Sequence, residues 1–368
     1  MTSKLLKPFK IKNLKLQNRI MRSATWDATA DETGAVTERS MARYRELASG
    51  GIGLIVTGYA YVSRPLGQAA AGQYGIYNNR LISGWKRIVK IVHDSGDSKI
   101  AMQIVHAGFN SGYLVRQGKS VLAVSKLTEA KRAHREMTDG DIERIISDFG
   151  KAAKRAREAG FDAVQLHGAH GYIFSQFASP LFNHRTDRWG GNPENRRRFL
   201  IEVICEIKRV AGKDYPVFIK FGVQDDEEGG MTLAEGLETC RRIVDAGIDC
   251  IEVSAGVGNP PLTIKEGESD KPAFRERAAA VKKAVTVPVA VVHGIRSLEI
   301  AEEIIDSGDV DMVSMCRPFI REPHLIRRWQ KGDIRPATCI SCGKCSRLVG
   351  RGKPLECVEE RRLREEGG

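Results

Sequence analysis

The sequence contains no stretch approaching the roughly 18 to 20 consecutive apolar residues of a membrane span. Its opening segment, MTSKLLKPFKIKNLKLQNRI, has no unbroken apolar run of the kind a secretory signal needs. Both absences point to a cytoplasmic chain with no membrane partner. One-signed charge blocks are missing too. The net charge is +12, but the basic clusters KRAHRE, KAAKRARE and RRLREE are scattered, interleaved with Glu and set in helical patterns, which speaks against a nucleic-acid partner. A basic surface would still attract anionic substrates such as coenzyme A esters. Cysteine is sparse through the body of the chain, where Cys205, Cys240, Cys250 and Cys316 lie in apolar helix or strand patterns that suit a small, inert hydrophobe. The other four, Cys339, Cys342, Cys345 and Cys357, crowd the C-terminus. In a reducing compartment such crowding argues for metal rather than disulfides.

What is present is an ordinary globular composition, 42% hydrophobic and 28% charged over 368 residues, with length enough for a substantial core. Short β-branched runs alternate with longer segments of helical period, the signature of a parallel sheet wrapped by helices. The strands read as RIMRSAT from Arg19, GLIVTG from Gly53, KIAMQIV from Lys99, DAVQLH from Asp162, PVFIKF from Pro216, DCIEVS from Asp249, PVAVVH from Pro288 and VDMVSM from Val310. Between them, Thr138 to Gly160 opens with a Thr138-x-x-Asp141 capping box and closes on glycine, and Asn192 to Gly212 carries apolar residues at helix spacing. Both faces of each strand read apolar. Eight such units predict an α/β fold closed as a (β/α)8 TIM barrel, with a doubly wound sheet as the alternative. Ahead of the first strand, PFKIKNLKLQ alternates like a hairpin that plugs the barrel's N-terminal end, and the long segment 106–137 reads as a lid or substrate-binding region. Residues 1–335 are assigned to the barrel and 336–368 to a C-terminal extension.

Barrel chemistry sits at the C-terminal ends of strands. There the sequence places Thr25 and Trp26, Gly58, Gln103 and His106, His167 and His170, Lys220, Ser254, His293 and Gly294, and Arg317. HGAHGY brings two imidazoles and the Tyr172 phenol to one strand end, a set able to grip a carbonyl compound and protonate it. Loop histidines without a ligand are the plainer alternative. Lys220 ends an otherwise apolar strand and needs an anionic partner, either the N1 and O2 edge of a reduced flavin or a barrel carboxylate. Gln103 can both donate to and accept from a pyrimidine-like ring. VVHGIRS and SMCRPF each place a glycine or arginine before a helix, the usual place for a phosphate in a barrel.

With these residues assembled, the chain resembles the old yellow enzyme family, within it the barrel portion of bacterial 2,4-dienoyl-CoA reductase and its NADH:flavin oxidoreductase relatives. The most specific stretch is AGFDAVQLHGAHGYIFSQFASPLFNHRTDRWGGNPENRRRF from Ala159 to Phe199, supported by NLKLQNRI, QIVHAG and DSGDVDMVSMCRPFIREP. The resemblance implies FMN held by Ser23, Ala24, Thr25 and Trp26, by Gly58, by Gln103 and Lys220, and at its phosphate by Gly294, Cys316 and Arg317. It implies NAD(P)H as reductant and an enone, enal or enoyl ester as substrate, with His167 and His170 on the carbonyl and Tyr172 as proton donor. The product of such a cycle is a reduced C=C bond; a homo-oligomer is expected. Departures are visible as well: Lys220 stands where arginine is usual, Cys316 stands where glycine is usual, and VSAGVG carries no histidine after strand six.

The C-terminal ATCISCGKCSRLVGRGKPLECVEE spaces its cysteines as CxxCxxC with a fourth after eleven residues. Four thiolates so spaced indicate a 4Fe-4S cluster or a structural zinc. Larger family members carry a similar site that relays electrons from a second flavin domain, which this sequence does not show. Electrons are therefore expected from NAD(P)H directly or from an external donor at the cluster. Competing readings are an amine or N-methyl dehydrogenase, with Trp26, Tyr59 and Tyr61 as an aromatic cage; a lyase or isomerase using Lys220 as a Schiff base; and an electron carrier.

Overall fold

In a computed structural model of the chain, residues 3–258 and 272–366 are described. Eight parallel strands form the barrel: β1 (Ile20–Arg22), β2 (Leu54–Val56), β3 (Lys99–Val105), β4 (Ala163–Gly168), β5 (Val217–Gly222), β6 (Cys250–Ser254), β7 (Val289–Val292) and β8 (Met312–Met315). Each pairs with the next, and β8 returns to β1 through Val313↔Ile20, Ser314↔Met21 and Met315↔Arg22. The sheet is closed, so the barrel replaces the doubly wound alternative.

The surrounding helices are α1 (Glu38–Ser49), α2 (Ile82–Asp94), α3 (Asp139–Glu158), α4 (Pro193–Ala211), α5 (Leu233–Asp245), α6 (Arg275–Ala284), α7 (Leu298–Asp306) and α8 (Leu325–Gln330). Their ends follow local chemistry. The Thr138–Asp141 capping box at the start of α3 forms in both directions, and Asn192 caps α4 with Pro193 as its first residue. The outward strand residues, such as Val217, Ile219 and Phe221 on β5, join the large core under the helices.

The hairpin expected before β1 is present, Phe9–Ile11 against Leu14–Leu16. Ile11, Leu14 and Leu16 pack on Met21, Leu54, Ala101, Phe218, Cys250 and Met312 and stopper the N-terminal end of the barrel. That leaves one open mouth. Residues 106–137 carry a short helix (Gly112–Arg116) and a parallel pair, Val121–Ala123 with His134–Glu136, tied by Phe109, Leu114, Val121 and Ala123. Among the described residues no helix is long and apolar enough to cross a membrane.

Candidate functional site

Strand alternation sends every second residue into the barrel, and the interior is built in layers. Phe218 and Cys250 rest on the hairpin plug. Two residues further along their strands come Lys220 and Glu252, direct partners in the β5–β6 register. This second layer is polar, which corrects the expectation that both strand faces are apolar. Lys220 Nζ donates to Ser23 Oγ at 2.7 Å and lies 3.4 Å from Glu252 Oε1. Ser23 and Ser314 each donate to that oxygen at 2.7 Å, and Gln165 Nε2 donates to Glu252 Oε2 at 2.9 Å. Gln103 Nε2 in turn donates to Gln165 Oε1 at 2.8 Å. Burial works to raise the Glu252 pKa, but the Lys220 charge and the hydrogen bonds from Ser314, Ser23 and Gln165 hold it below the usual carboxylate range. Of the two partners weighed for Lys220, the barrel carboxylate is the one present in the protein itself.

Above this floor lies a cavity of ≈ 590 Å³, within the range of small-molecule sites. Ser23, Ala24, Thr25 and Trp26 form one wall, Lys220 reaches the floor, His170 and Ser254 stand opposite, and Cys316 and Arg317 close the side toward β8. Gly58 does not line it. A Cβ there would come within 2.8 Å of the Thr25 carbonyl oxygen, so glycine lets β2 pack against the wall from behind. Gln103 is buried in the polar layer beside the floor.

At the mouth, His167 lies 5.1 Å from His170 and 4.8 Å from Tyr172, ring centre to ring centre. Burial, the neighbouring His170 and Lys220 push the His167 pKa well down, and burial with Lys220 takes His170 to about 3. Both imidazoles are therefore neutral near pH 7, and each offers one N–H. His170 holds a left-handed backbone, φ 60°, and its Nε2 is 2.9 Å from Ser254 Oγ, while His167 Nδ1 is buried without a partner among the described residues. If Ser254 donates to Nε2, the His170 proton sits on Nδ1. Burial raises the Tyr172 pKa, so its phenol keeps its proton, and the Tyr59 hydroxyl donates to it. Tyr59 also meets Trp26 edge-on at 6.4 Å. The sequence-based cage of Trp26, Tyr59 and Tyr61 thus holds for two members only. Tyr61 stacks on Tyr77 at 5.2 Å and donates to the Thr33 carbonyl. His106 is also turned away, its Nδ1 accepting the Gly108 N–H at 3.0 Å.

A small adjoining cavity between the ends of β7 and β8 is lined by Gly294, Arg296, Cys316, Arg317 and Ser341. Gly294 has φ 74°, a turn that suits glycine, and Cys316 Sγ lies 3.0 Å from Thr25 Oγ1. The expected phosphate residues are therefore neighbours of the main cavity. Beyond them, Cys339, Cys342, Cys345 and Cys357 all face one recess with Arg317 and Arg321, and Cys345 borders the main cavity as well. Burial raises the Cys339 thiol and lifts Cys345 to about 11. Among the described residues no group of three or more His, Cys, Asp or Glu side chains is arranged to hold a single metal ion. Of the four cysteines expected to be inert, Cys240 and Cys250 are buried, Cys205 is exposed on α4, and Cys316 is half-buried at the mouth.

Glu252, Gln165 and Ser314 belong to this polar layer and were missed by motif reading, whereas Ser254 was among the strand-end residues expected there. The signal was available in the alternation: Cys250-x-Glu252-x-Ser254 runs in step with Ala163-x-Gln165-x-His167.

Comparison with known proteins identifies the family and the fold. Residues 4–335 match the NADH:flavin oxidoreductase / NADH oxidase family. An NADH oxidase of Thermoanaerobacter brockii is 37% identical over 339 residues, 90% of this chain and 52% of that protein. A 2-naphthoyl-CoA reductase in complex with 2-naphthoyl-CoA superposes with a TM-score of 0.89 at 29% identity, covering 96% of this chain and 56% of the other. Histamine dehydrogenase from Rhizobium sp. 4-9 gives 0.82 at 25% identity, with 96% and 52% covered. The chain thus spans about half the length of these relatives. The family match over residues 4–335 and the closed barrel together show that the chain belongs to the old yellow enzyme family of NADH:flavin oxidoreductases.

Proposed function

We propose that the chain reduces the activated C=C bond of α,β-unsaturated carbonyl compounds, an enone, an enal or an enoyl ester. The observation that carries this reading is the pair of neutral imidazoles beside a protonated phenol. Two N–H donors in a half-apolar mouth favour an oxygen that gains negative charge during reaction, and Tyr172 holds a proton for the neighbouring carbon.

The residues fit FMN. Ser23, Ala24, Thr25 and Trp26 would form a wall for the ring system, Lys220, with Gln103 in the layer beneath, would serve its pyrimidine edge, and Gly294, Cys316 and Arg317 would hold its phosphate. Bound there, FMN would supply the hydride chemistry that links NAD(P)H to the alkene. The chain does the rest: His167 and His170 orient the carbonyl oxygen, Tyr172 delivers a proton to the α-carbon, and Tyr59 holds the Tyr172 hydroxyl in place. The 2-naphthoyl-CoA complex of the structural relative supports a carbonyl-conjugated thioester as one member of this substrate class.

For the four C-terminal cysteines we propose a 4Fe-4S cluster rather than zinc. The CxxCxxC spacing with a fourth cysteine after eleven residues supports this reading, and the four thiols share one recess. Arg317 and Arg321 in that recess would offset the charge of a cluster. An external electron donor could then deliver electrons there. The assigned domain limits, 1–335 and 336–368, place this motif outside the barrel.

A second reading, an amine dehydrogenase, is favoured by the Trp26–Tyr59 pair and by the likeness to histamine dehydrogenase. One experiment separates the two. Under anaerobic conditions, NADPH or NADH should bleach the flavin and 2-cyclohexenone should restore its colour. Bleaching by histamine or trimethylamine with no response to the enone would replace the proposal by the second reading.

A further inference from the structure

Lys220 and Ser23 reach the cavity floor, while Glu252 lies one hydrogen bond behind them, 1% exposed and out of contact with the cavity. Its carboxylate is held from several strands at once: Ser23 follows β1, Gln165 is on β4, Lys220 on β5 and Ser314 on β8. Both of its oxygens are engaged. Ser23 joins the two charges directly, accepting from Lys220 and donating to Glu252 at 2.7 Å in each case. A cation under the pyrimidine edge of a flavin stabilises the negative charge that reduction places there. In a low-dielectric barrel an anion just behind that cation cancels much of the effect.

On the reading that FMN occupies this cavity, we propose that Glu252 is a positioning residue that sets the reduction potential of the flavin. Its carboxylate offsets the Lys220 charge and makes the bound flavin a stronger reductant than Lys220 alone would allow. The consequence is a wider substrate range. Alkenes conjugated to a single weak acceptor, or to an aromatic thioester, come within reach of hydride transfer. NAD(P)H correspondingly drives flavin reduction with less to spare, so a low-potential carrier becomes the more effective electron source.

The test is an anaerobic redox titration of the FMN-loaded protein, followed by visible absorbance against dyes of known potential. Glu252→Gln should raise the midpoint by at least the equivalent of a tenfold change in the affinity ratio of reduced to oxidised FMN, about 30 mV for a two-electron couple. Glu252→Asp keeps the charge and should stay within that margin of the parent protein. Where Glu252→Gln fails to fold around FMN, the comparison is Glu252→Ser, whose short neutral side chain leaves room for a water among the Ser23, Ser314 and Gln165 side chains, and its midpoint should rise by the same margin. Unmoved midpoints, or a rise in Glu252→Asp as large as that in Glu252→Gln, would overturn the inference. Parent protein that releases no FMN on denaturation would instead overturn the placement of the cofactor, and this inference with it.

Discussion

Replacing Tyr172 by Phe removes one oxygen and leaves the ring. The ring contacts to Tyr59 at 5.6 Å and to His167 at 4.8 Å are apolar in nature and should survive. Two things are lost. The first is the proton for the α-carbon. A positioned general acid contributes about 10²- to 10⁴-fold, equivalent to about 3–5 kcal/mol of barrier. The second is the acceptor for the Tyr59 hydroxyl, which is 8% exposed as a residue and would be left buried without a partner. That costs about 1–3 kcal/mol of stability. The two losses separate in a stopped-flow experiment that follows flavin absorbance anaerobically. Reduction by NADPH should change less than about twofold, because no proton from Tyr172 enters that step. Reoxidation by 2-cyclohexenone should slow about a hundredfold or more. Equal slowing of both half-reactions would refute the assignment, since it would mean that Tyr172 shapes the cavity rather than delivers a proton.

Other expectations follow from the same geometry. His167→Ala and His170→Ala should each weaken binding of a phenol such as p-hydroxybenzaldehyde by about 2- to 13-fold, the value of one neutral hydrogen bond of about 0.5–1.5 kcal/mol; unchanged flavin perturbation by the phenol would count against the carbonyl-binding role. Acid should destabilise the fold through buried neutral imidazoles. His106 and His170 are lowered by burial to about 3, so between pH 6.5 and 3 the unfolded chain binds more protons than the folded one, and stability falls as pH falls. Each imidazole contributes up to about 1.4 kcal/mol per pH unit in that window, and a denaturation midpoint that stays constant from pH 7 to 5 would contradict it. Cys345→Ser or Cys357→Ser should lose iron and acid-labile sulfide while FMN is retained, and full iron content in both variants would exclude these thiols as ligands. Leu16→Ala opens the plug under the barrel floor and should cost about 2–5 kcal/mol in urea unfolding, with the midpoint potential unmoved if the floor stays rigid.

Much of the architecture was legible because it depends on local periodicity. Alternating β-branched runs gave all eight strands, and the Thr138 capping box together with the apolar spacing between Asn192 and Gly212 placed two helices to within a residue or two. The hairpin plug was readable because Lys10, Asn13 and Lys15 alternate with Phe9, Ile11, Leu14 and Leu16. The mouth was legible through HGAHGY, where three functional groups fall within six residues of one strand end. What stayed hidden is non-local. Tyr61 stands two residues after Tyr59, which in a regular strand would share its face, yet Tyr59 meets Trp26 while Tyr61 stacks on Tyr77.

The polar floor is the more instructive miss, because its members are separated by up to 229 residues in the Ser23–Glu252 hydrogen bond. No motif search joins residues so far apart. Barrel closure does, since it places the same interior layer of every strand at one height. Lys220 alone suggests a cation waiting for a ligand, and Glu252 alone suggests a charge stranded in an apolar strand. Set at one level of a closed barrel, each accounts for the other. The remaining freedom is how much positive charge the pair shows to whatever lies above it. That quantity depends on the 3.4 Å between Lys220 and Glu252 and on the Ser23 bridge, and on the proposed reading it makes the interior of the barrel, as much as the histidines at its mouth, a determinant of which alkenes are reduced.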